Sequence, residues 1–257
     1  MNGDAREPLA IRLASRLVQV LFLVALLVLW LLATNVWGVS SILLPRPVNV
    51  WHQLIDVIRT GAFIPDLRVT LGELAGAFAI ATLLGVTLGY FISRSRYWIA
   101  VFEPLFAAIY SIPIILFLPL FVLFFGLGPA SKIAIGATIS FFPITLNTIA
   151  GFGGVDRLYV TAARSMGASD HHLFRFVLLP AALPVILTGL RMGFTVALLS
   201  IIGSETLASL GGLGHRIVSL AESMEMAPMF AYIVFVIAIA AVLNAIVSTL
   251  EARGKWN

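Results

Sequence analysis

The chain has 257 residues, of which 60% are hydrophobic and only 11% are charged, and its mean hydropathy is +1.05. A soluble domain of this length would be far more polar, so the composition indicates a membrane protein. The absence of cysteine excludes disulfides, thiolate metal sites and cysteine nucleophiles, and the net charge of +4 does not indicate a nucleic-acid partner because most basic residues flank apolar stretches.

Six apolar stretches are long enough to cross a bilayer core of about 30 Å as helices. They are residues 17–44, 74–93, 104–131, 133–155, 176–204 (interrupted by Arg191) and 226–250. None alternates like a strand of a membrane barrel. We therefore predict an all-α membrane protein with six transmembrane helices. Residues 1–16 form a cytoplasmic N-terminal segment in this prediction, and residues 17–257 form a single transmembrane domain whose first span is retained rather than cleaved as a signal peptide.

The positions of lysine and arginine predict the orientation of the chain. Basic residues accumulate in cytoplasmic loops, so the side with more of them is expected to be inside. If the N-terminus is inside, the inner segments hold Arg6, Arg12, Arg16, Arg94, Arg96, Arg157, Arg164, Arg175, Arg253 and Lys255. The outer segments hold the smaller set of Arg46, Arg59, Arg68, Lys132 and Arg216. Both termini are therefore predicted to be cytoplasmic.

A short amphipathic helix is predicted between the first two spans. After Pro47, apolar residues recur at helical spacing: Val50, Trp51, Leu54, Ile55 and Ile58. Two interpretations stay open, since this helix can lie flat at the outer membrane interface or pack between the spans.

The third span contains three prolines, Pro104, Pro113 and Pro119. Each removes a backbone donor, so the freed carbonyls need partners in the bundle or water in a cavity. A broken helix beside Tyr110 and Ser111 would line a transport pathway. A kink that only shapes packing is the alternative.

Residues 156–175 are rich in charge although they lie between two apolar stretches. An ionised side chain at the centre of a membrane helix costs about 3 kcal/mol, so this run is expected in water beside the membrane. Asp156 is predicted to cap one short helix, Gly167 to end it in a left-handed turn, and Ser169 to cap a second short helix before Pro180 opens the next span. Such helices suit the groove of a partner protein.

The same segment resembles the EAA signature, EAA-x3-G-x9-I-x-LP, of membrane subunits of binding-protein-dependent ABC importers. The matching residues are Ala162, Ala163, Gly167, Val177, Leu179 and Pro180. Further family patterns are LPxP at residues 44–47, FFP-x3-NT up to residue 148, LP-x4-GLR at residues 183–191 and a glycine turn at residues 212–214. The combination looks like the sulfonate, taurine and nitrate permease branch. Thr161 stands where the family usually has Glu, and Val177 replaces Ile.

The resemblance implies a type I ABC importer permease fold and a function as the membrane subunit of an ATP-driven importer. Residues 156–179 would be the loop that couples this subunit to a cytoplasmic ABC ATPase dimer. The candidate coupling residues are Thr161, Ala162, Ala163, Gly167, Leu173, Phe174, Val177, Leu179 and Pro180. The expected further partners are a second permease copy, an extracytoplasmic solute-binding protein and the lipid bilayer.

The chain itself is not expected to be an enzyme or to bind a cofactor. It has no G-x4-GK[ST] phosphate loop, because Gly254-Lys255 lacks both the upstream glycine and the following hydroxyl. ATP and magnesium would therefore bind the separate ATPase. The adjacent His171 and His172 are interpreted as surface residues, and no metal site is predicted.

Polar groups within the apolar spans are candidates for the translocation path. They are Tyr110, Ser111, Ser140, Asn147, Arg191, Ser200 and Glu205. Structural ion pairing is the alternative role for Arg191. A proton-coupled secondary transporter is the alternative function, because Glu73, Glu103 and Glu205 lie in or near spans. Glu73 and Glu103 are expected to reach an interface, and no convincing internal repeat supports this alternative.

Overall fold

The computed structural model describes the backbone of residues 9–254 and the side chains of residues 17–252. The described part is built from helices, and residues 1–8 of the predicted N-terminal segment, together with the side chains of Arg253 and Lys255, lie outside it. The α-helices are α1 Leu9–Asn35, α2 Pro47–Thr60, α3 Ile64–Ser93, α4 Arg96–Tyr110, α5 Leu118–Phe125, α6 Pro129–Gly153, α7 Arg157–Ser165, α8 Asp170–Leu173, α9 Leu179–Leu207, α10 Leu213–Glu222 and α11 Met226–Gly254.

Five continuous helices in the described residues are long and apolar enough to cross a membrane. They are Leu17–Asn35, Ile64–Ser93, Pro129–Gly153, Asp170–Leu207 and Met226–Ala252. Helix α4 and the segment Ile114–Phe125 are bent by 71° relative to each other and make a sixth crossing if they are counted together as one span. The prediction of six spans therefore holds if this bent pair is counted as one.

The third span differs from the single stretch 104–131 that the sequence predicted. The chain leaves α4 at Tyr110, passes Pro113, makes one 3-10 turn at Ile114–Phe117 and continues as α5. Pro113 has no backbone N–H to donate and disfavours helical geometry in the residue before it, which explains why the helix breaks here. The predicted break beside Tyr110 and Ser111 is confirmed.

The centre of the bundle is α6, which packs between α3 and α9. Gly89 of α3 faces Thr148 of α6, and Gly189 of α9 faces Asn147 on the other side of α6. Because these glycines carry no side chain, the helix backbones approach closely, as is common where membrane helices pack. The two interfaces explain why α6 is more buried than any of the other four continuous spans.

One end of the bundle is closed by α2 and α10 packed on α11. Their buried apolar residues form one cluster, made of Val57, Leu213, Leu220, Tyr232 and Val236. The predicted helix after Pro47 is confirmed as α2. It buries Val50 and Val57 while leaving Trp51 and Ile58 exposed, so it packs on the bundle with one face only.

Candidate functional site

Short-range hydrogen bonds shape the segment of residues 156–179, which we call the coupling segment. The Asp156 carboxylate accepts from the Leu158 N–H at 2.8 Å and caps α7. Gly167 has a φ of +80°, a left-handed conformation that favours glycine, and it ends the helix. The Ser169 hydroxyl accepts from the His172 N–H at 3.4 Å and caps α8. All three predicted roles are confirmed.

The second helix of the segment was predicted to be short and to end before Pro180, and this prediction is wrong. Helix α8 continues through a π-helical turn, Phe174–Leu178, directly into α9, so residues 170–207 form one helix. Pro180 does not open a new span, although it cannot donate to the carbonyl four residues earlier. A π turn changes the local hydrogen-bond pattern and is a recognised way for a helix to accommodate such a residue. The coupling segment is therefore one short helix, a glycine turn and the start of a membrane helix.

The coupling segment has a buried side and an exposed side. Ala163 and Leu173 are buried, and Phe174 packs in an aromatic group with Tyr90 and Phe152. Of the other candidate coupling residues, Val177 and Leu179 are half-buried, whereas Thr161, Ala162, Gly167 and Pro180 are exposed.

Apolar side chains stand out from the same segment. Leu158 and Met166 are among the exposed large hydrophobic residues, and Met166 is 83% exposed. Both lie in or next to α7, outside the apolar spans that lipid covers. An exposed apolar edge beside polar residues is typical of a surface that a partner protein covers.

The candidate path residues occupy different surroundings in the single chain. Ser140 is fully buried and donates to the Gly136 carbonyl of its own helix at 2.6 Å. Asn147 donates to the Pro143 carbonyl at 2.8 Å, and Ser200 is buried in α9. Tyr110 and Ser111 lie at the bend of the broken span, where Tyr110 packs against Phe142. The described part of one chain does not bring these residues together in one cavity.

Arg191 forms an ion pair between two spans. Its Nη1 lies 3.1 Å from Oε2 of Glu251 in α11, and the Thr188 hydroxyl donates to Oε1 of the same carboxylate at 3.0 Å. The Arg191 side chain is 52% exposed, whereas that of Glu251 is 7% exposed. Glu251 is therefore the ion-pair partner that a structural role of Arg191 requires. Part of the Arg191 side chain also remains accessible.

Glu205 joins elements that are distant in sequence. Its Oε1 accepts from the Thr70 hydroxyl at 2.7 Å, and its Oε2 accepts from the Gly214 N–H at 2.8 Å. The Thr70 hydroxyl oxygen in turn accepts from the Leu213 N–H at 2.9 Å. A Cβ at Gly212, whose φ is +102°, would collide with the Glu205 carboxylate, so glycine is required for this close approach. The carboxylate thus links α3, α9 and the first turn of α10.

Two further charged residues lie beside Glu205. Glu73 and Lys132 are both buried, and each interacts electrostatically with Glu205 and with the other. The Lys132 ammonium donates to the Leu127 carbonyl at 2.6 Å. The expectation that Glu73 reaches an interface is wrong, because α3 begins at Ile64 and Glu73 is inside the helix. Lys132, which the sequence placed in an outer segment, belongs to the first turns of α6.

No local sequence pattern predicts this buried polar cluster, defined as Thr70, Glu73, Lys132 and Glu205. Its members are separated by up to 135 residues. The one available clue was the presence of charged residues next to apolar spans, since buried charges in membrane proteins are costly unless they are paired.

Comparison with known proteins identifies the class. Residues 62–255 match the family described as binding-protein-dependent transport system inner membrane component. The chain belongs to this family. It is therefore the multi-pass permease subunit of an ABC importer in the bacterial inner membrane, and it is not itself an enzyme. Family membership implies an ABC ATPase and a solute-binding protein as partners.

Individual relatives cover most of the chain. The taurine transport system permease protein TauC of Escherichia coli (strain K12) is 30% identical over 236 residues, which are 90% of this chain and 86% of TauC. The formylaminopyrimidine transport permease protein ThiX of Halalkalibacterium halodurans is 33% identical over 195 residues, 76% of this chain and 77% of ThiX. The fold is similar to that in a crystal structure of an amino acid ABC transporter, with a TM-score of 0.61, 23% identity, and coverage of 79% and 96% of the two chains.

Proposed function

We propose that this permease imports a small organosulfonate such as taurine. The observation that carries this proposal is the similarity to TauC along 90% of the chain. An extracytoplasmic binding protein would select the solute and deliver it to the end of the bundle closed by α2 and α10. The solute would then cross a path made by the permease and leave on the side of the coupling segment.

The coupling segment supports a specific arrangement with the ATPase. Its exposed apolar edge, Leu158 and Met166, would lie in a groove of the ATPase, while the buried Ala163 and Leu173 anchor the segment to the bundle. Movement of the docked α7 would pass to α9 through the continuous helix that begins at Asp170. In this arrangement the coupling segment and both termini face the cytoplasm, and ATP and magnesium bind only to the ATPase.

We further propose that two copies of the permease form the transport path together. Ser111 is exposed and the Arg191 side chain is half-exposed, so a second copy can complete a path that one chain leaves open. Each copy would be a single domain over residues 17–257, because α6 packs against both α3 and α9. Tyr110, Ser140, Asn147, Ser200 and Glu205 would support or line the same route.

A second substrate class has a specific observation in its favour. ThiX has the higher sequence identity of the two relatives, although it matches a shorter part of the chain, and its name specifies transport of formylaminopyrimidine. Native mass spectrometry of the partner binding protein separates the two classes. We expect a bound sulfonate that wild-type cells also take up. A pyrimidine in its place, with no sulfonate uptake, would contradict the proposed substrate and favour the second class.

A further inference from the structure

A large cavity lies at the end of the bundle that carries the coupling segment. Its volume is about 700 Å³, and it opens between the α3–α4 turn and α7. Four arginines line it: Arg94 and Arg96 from the turn, and Arg157 and Arg164 from α7. The accumulation of basic residues on the cytoplasmic side does not by itself require four of them to line one cavity.

The carboxylates that line the cavity are already engaged. Asp170 pairs with Arg164 at 3.1 Å, and Asp156 accepts the Leu158 N–H that it caps. Within the described residues, Arg94, Arg96 and Arg157 form no ion pair. Arginines that share a cavity create a positive potential that favours an anion, and their planar guanidinium groups match the oxygens of a phosphate.

The inner wall of the cavity is apolar. It includes Ile99, Phe152, Phe174 and Leu178. A small inorganic anion has no apolar surface that could contact these side chains. Guanidinium groups next to an apolar wall instead suit a phosphate that is attached to a glycerol and acyl chains.

Neighbouring aromatic residues indicate the depth of the cavity in the membrane. Tyr97 and Trp98 directly follow Arg96 and are exposed. Tyrosine and tryptophan gather at the level of the lipid headgroups, where one end of the ring system is apolar and the other is wet. This pattern indicates that the α3–α4 turn lies at the level of the lipid headgroups.

We propose that this cavity binds the headgroup of an anionic phospholipid from the cytoplasmic leaflet. Basic pockets between membrane helices on the cytoplasmic side are suited to such lipids. The phosphate would bridge the α3–α4 turn and α7, and it would hold the coupling segment against the bundle. The leaflet assignment rests on the proposed function, whereas lipid binding itself does not require the ATPase.

The first experiment measures binding on the full-length permease alone. Permease purified from nanodiscs of phosphatidylcholine and phosphatidylglycerol is examined by native mass spectrometry. We expect wild type to retain phosphatidylglycerol preferentially and the Arg94→Gln/Arg96→Gln variant to lose this preference. The matched control is Arg59→Gln/Arg68→Gln, which removes two exposed arginines elsewhere and should keep it. Equal retention in all three proteins would overturn the proposal.

Two further measurements distinguish lipid binding from binding of free phosphate and from contact with the ATPase. Millimolar inorganic phosphate should not displace the lipid, and displacement would show a site for free phosphate instead. In detergent without anionic lipid, the double variant should still bind the ATPase, because the proposal assigns these arginines to lipid. Loss of ATPase binding under those conditions would assign them to the protein interface and overturn the proposal.

The functional consequence is measured on the permease–ATPase complex. We expect ATPase activity several-fold higher with phosphatidylglycerol than with phosphatidylcholine alone in wild type, and no such difference in the double variant. A lipid response that persists in the variant would contradict the role of this cavity. A variant that loses lipid binding but keeps ATP-driven uptake would contradict the proposed role of the lipid in holding the coupling segment. It would not contradict the importer function.

Discussion

The carboxylate of a single residue, Glu205, stabilises the fold through its hydrogen bonds. It is 1% exposed and accepts one hydrogen bond from α3 and one from the first turn of α10. A hydrogen bond to a charged group contributes more than one between neutral groups, and a buried donor that loses its partner is costly. The network therefore fixes the start of α10 on the bundle.

Replacement of this carboxylate by an amide should destabilise the permease. In Glu205→Gln, the amide NH2 cannot accept from the Gly214 N–H or the Thr70 hydroxyl, so one buried donor loses its acceptor. We expect a loss of about 1–3 kcal/mol, measured as a lower unfolding temperature in detergent. Glu103→Gln, at an exposed position in α4, is the matched control and should unfold like wild type. Equal unfolding temperatures for both variants would contradict this role of Glu205.

Single residues also show which parts of the site the sequence can predict. Asp156, Gly167 and Ser169 were predicted correctly because capping and left-handed turns depend on neighbours within a few positions. The contact between Thr70 and Glu205 was not predicted, since it depends on how α3 packs beside α9. Glu73 was misplaced for a different reason, because α3 begins at Ile64, well before the charge-free stretch of residues 74–93.

Pairs of helices are joined by the contact between Arg191 and Glu251. In a double-mutant cycle of Arg191→Met and Glu251→Gln, we expect a coupling energy of about 1 kcal/mol, because the carboxylate is buried although the arginine is half-exposed. The measurement is thermal unfolding of the two single variants and the double variant. No coupling, together with lost uptake in Arg191→Met at unchanged stability, would instead assign Arg191 to the transport path.

The turn between α7 and α8 is expected to determine coupling. Gly167→Val places a β-branched side chain at a φ of +80°, which should distort the turn that positions α7. We expect membrane insertion to be retained and substrate-stimulated ATPase activity to be lost. Gly167→Asn is the matched control, because asparagine tolerates the left-handed conformation, and it should keep most of the activity. Full activity in Gly167→Val would show that the turn geometry does not matter.

Whole helices were predictable to different degrees. The apolar stretches predicted the spans well, because hydrophobic length alone determines which segments cross a membrane. The boundary between α8 and α9 was wrong, because Pro180 is a strong helix-start signal whose effect the π turn removes. A helix break at a proline can thus be predicted from sequence. A π turn that lets a helix continue through a proline cannot.

At the scale of the whole molecule, the proposed function requires a physical connection from the coupling segment to the centre of the bundle. The short α7 stands outside the apolar spans, and the helix from Asp170 connects the coupling segment to the centre of the bundle. In the proposed function, a displacement of α7 would reach α6 through the α6–α9 interface. The importer class was predictable from the EAA pattern. The arrangement of a second copy was not, because it depends on surfaces that no local pattern marks.

The most direct test of the central claim is solute uptake into proteoliposomes that contain the permease, its ATPase and its binding protein. We expect uptake that requires ATP and stops when the ATPase carries an inactivating substitution of its catalytic carboxylate. Dissipation of the proton gradient should leave this uptake unchanged. Uptake that continues with the inactive ATPase and collapses without a proton gradient would contradict the account.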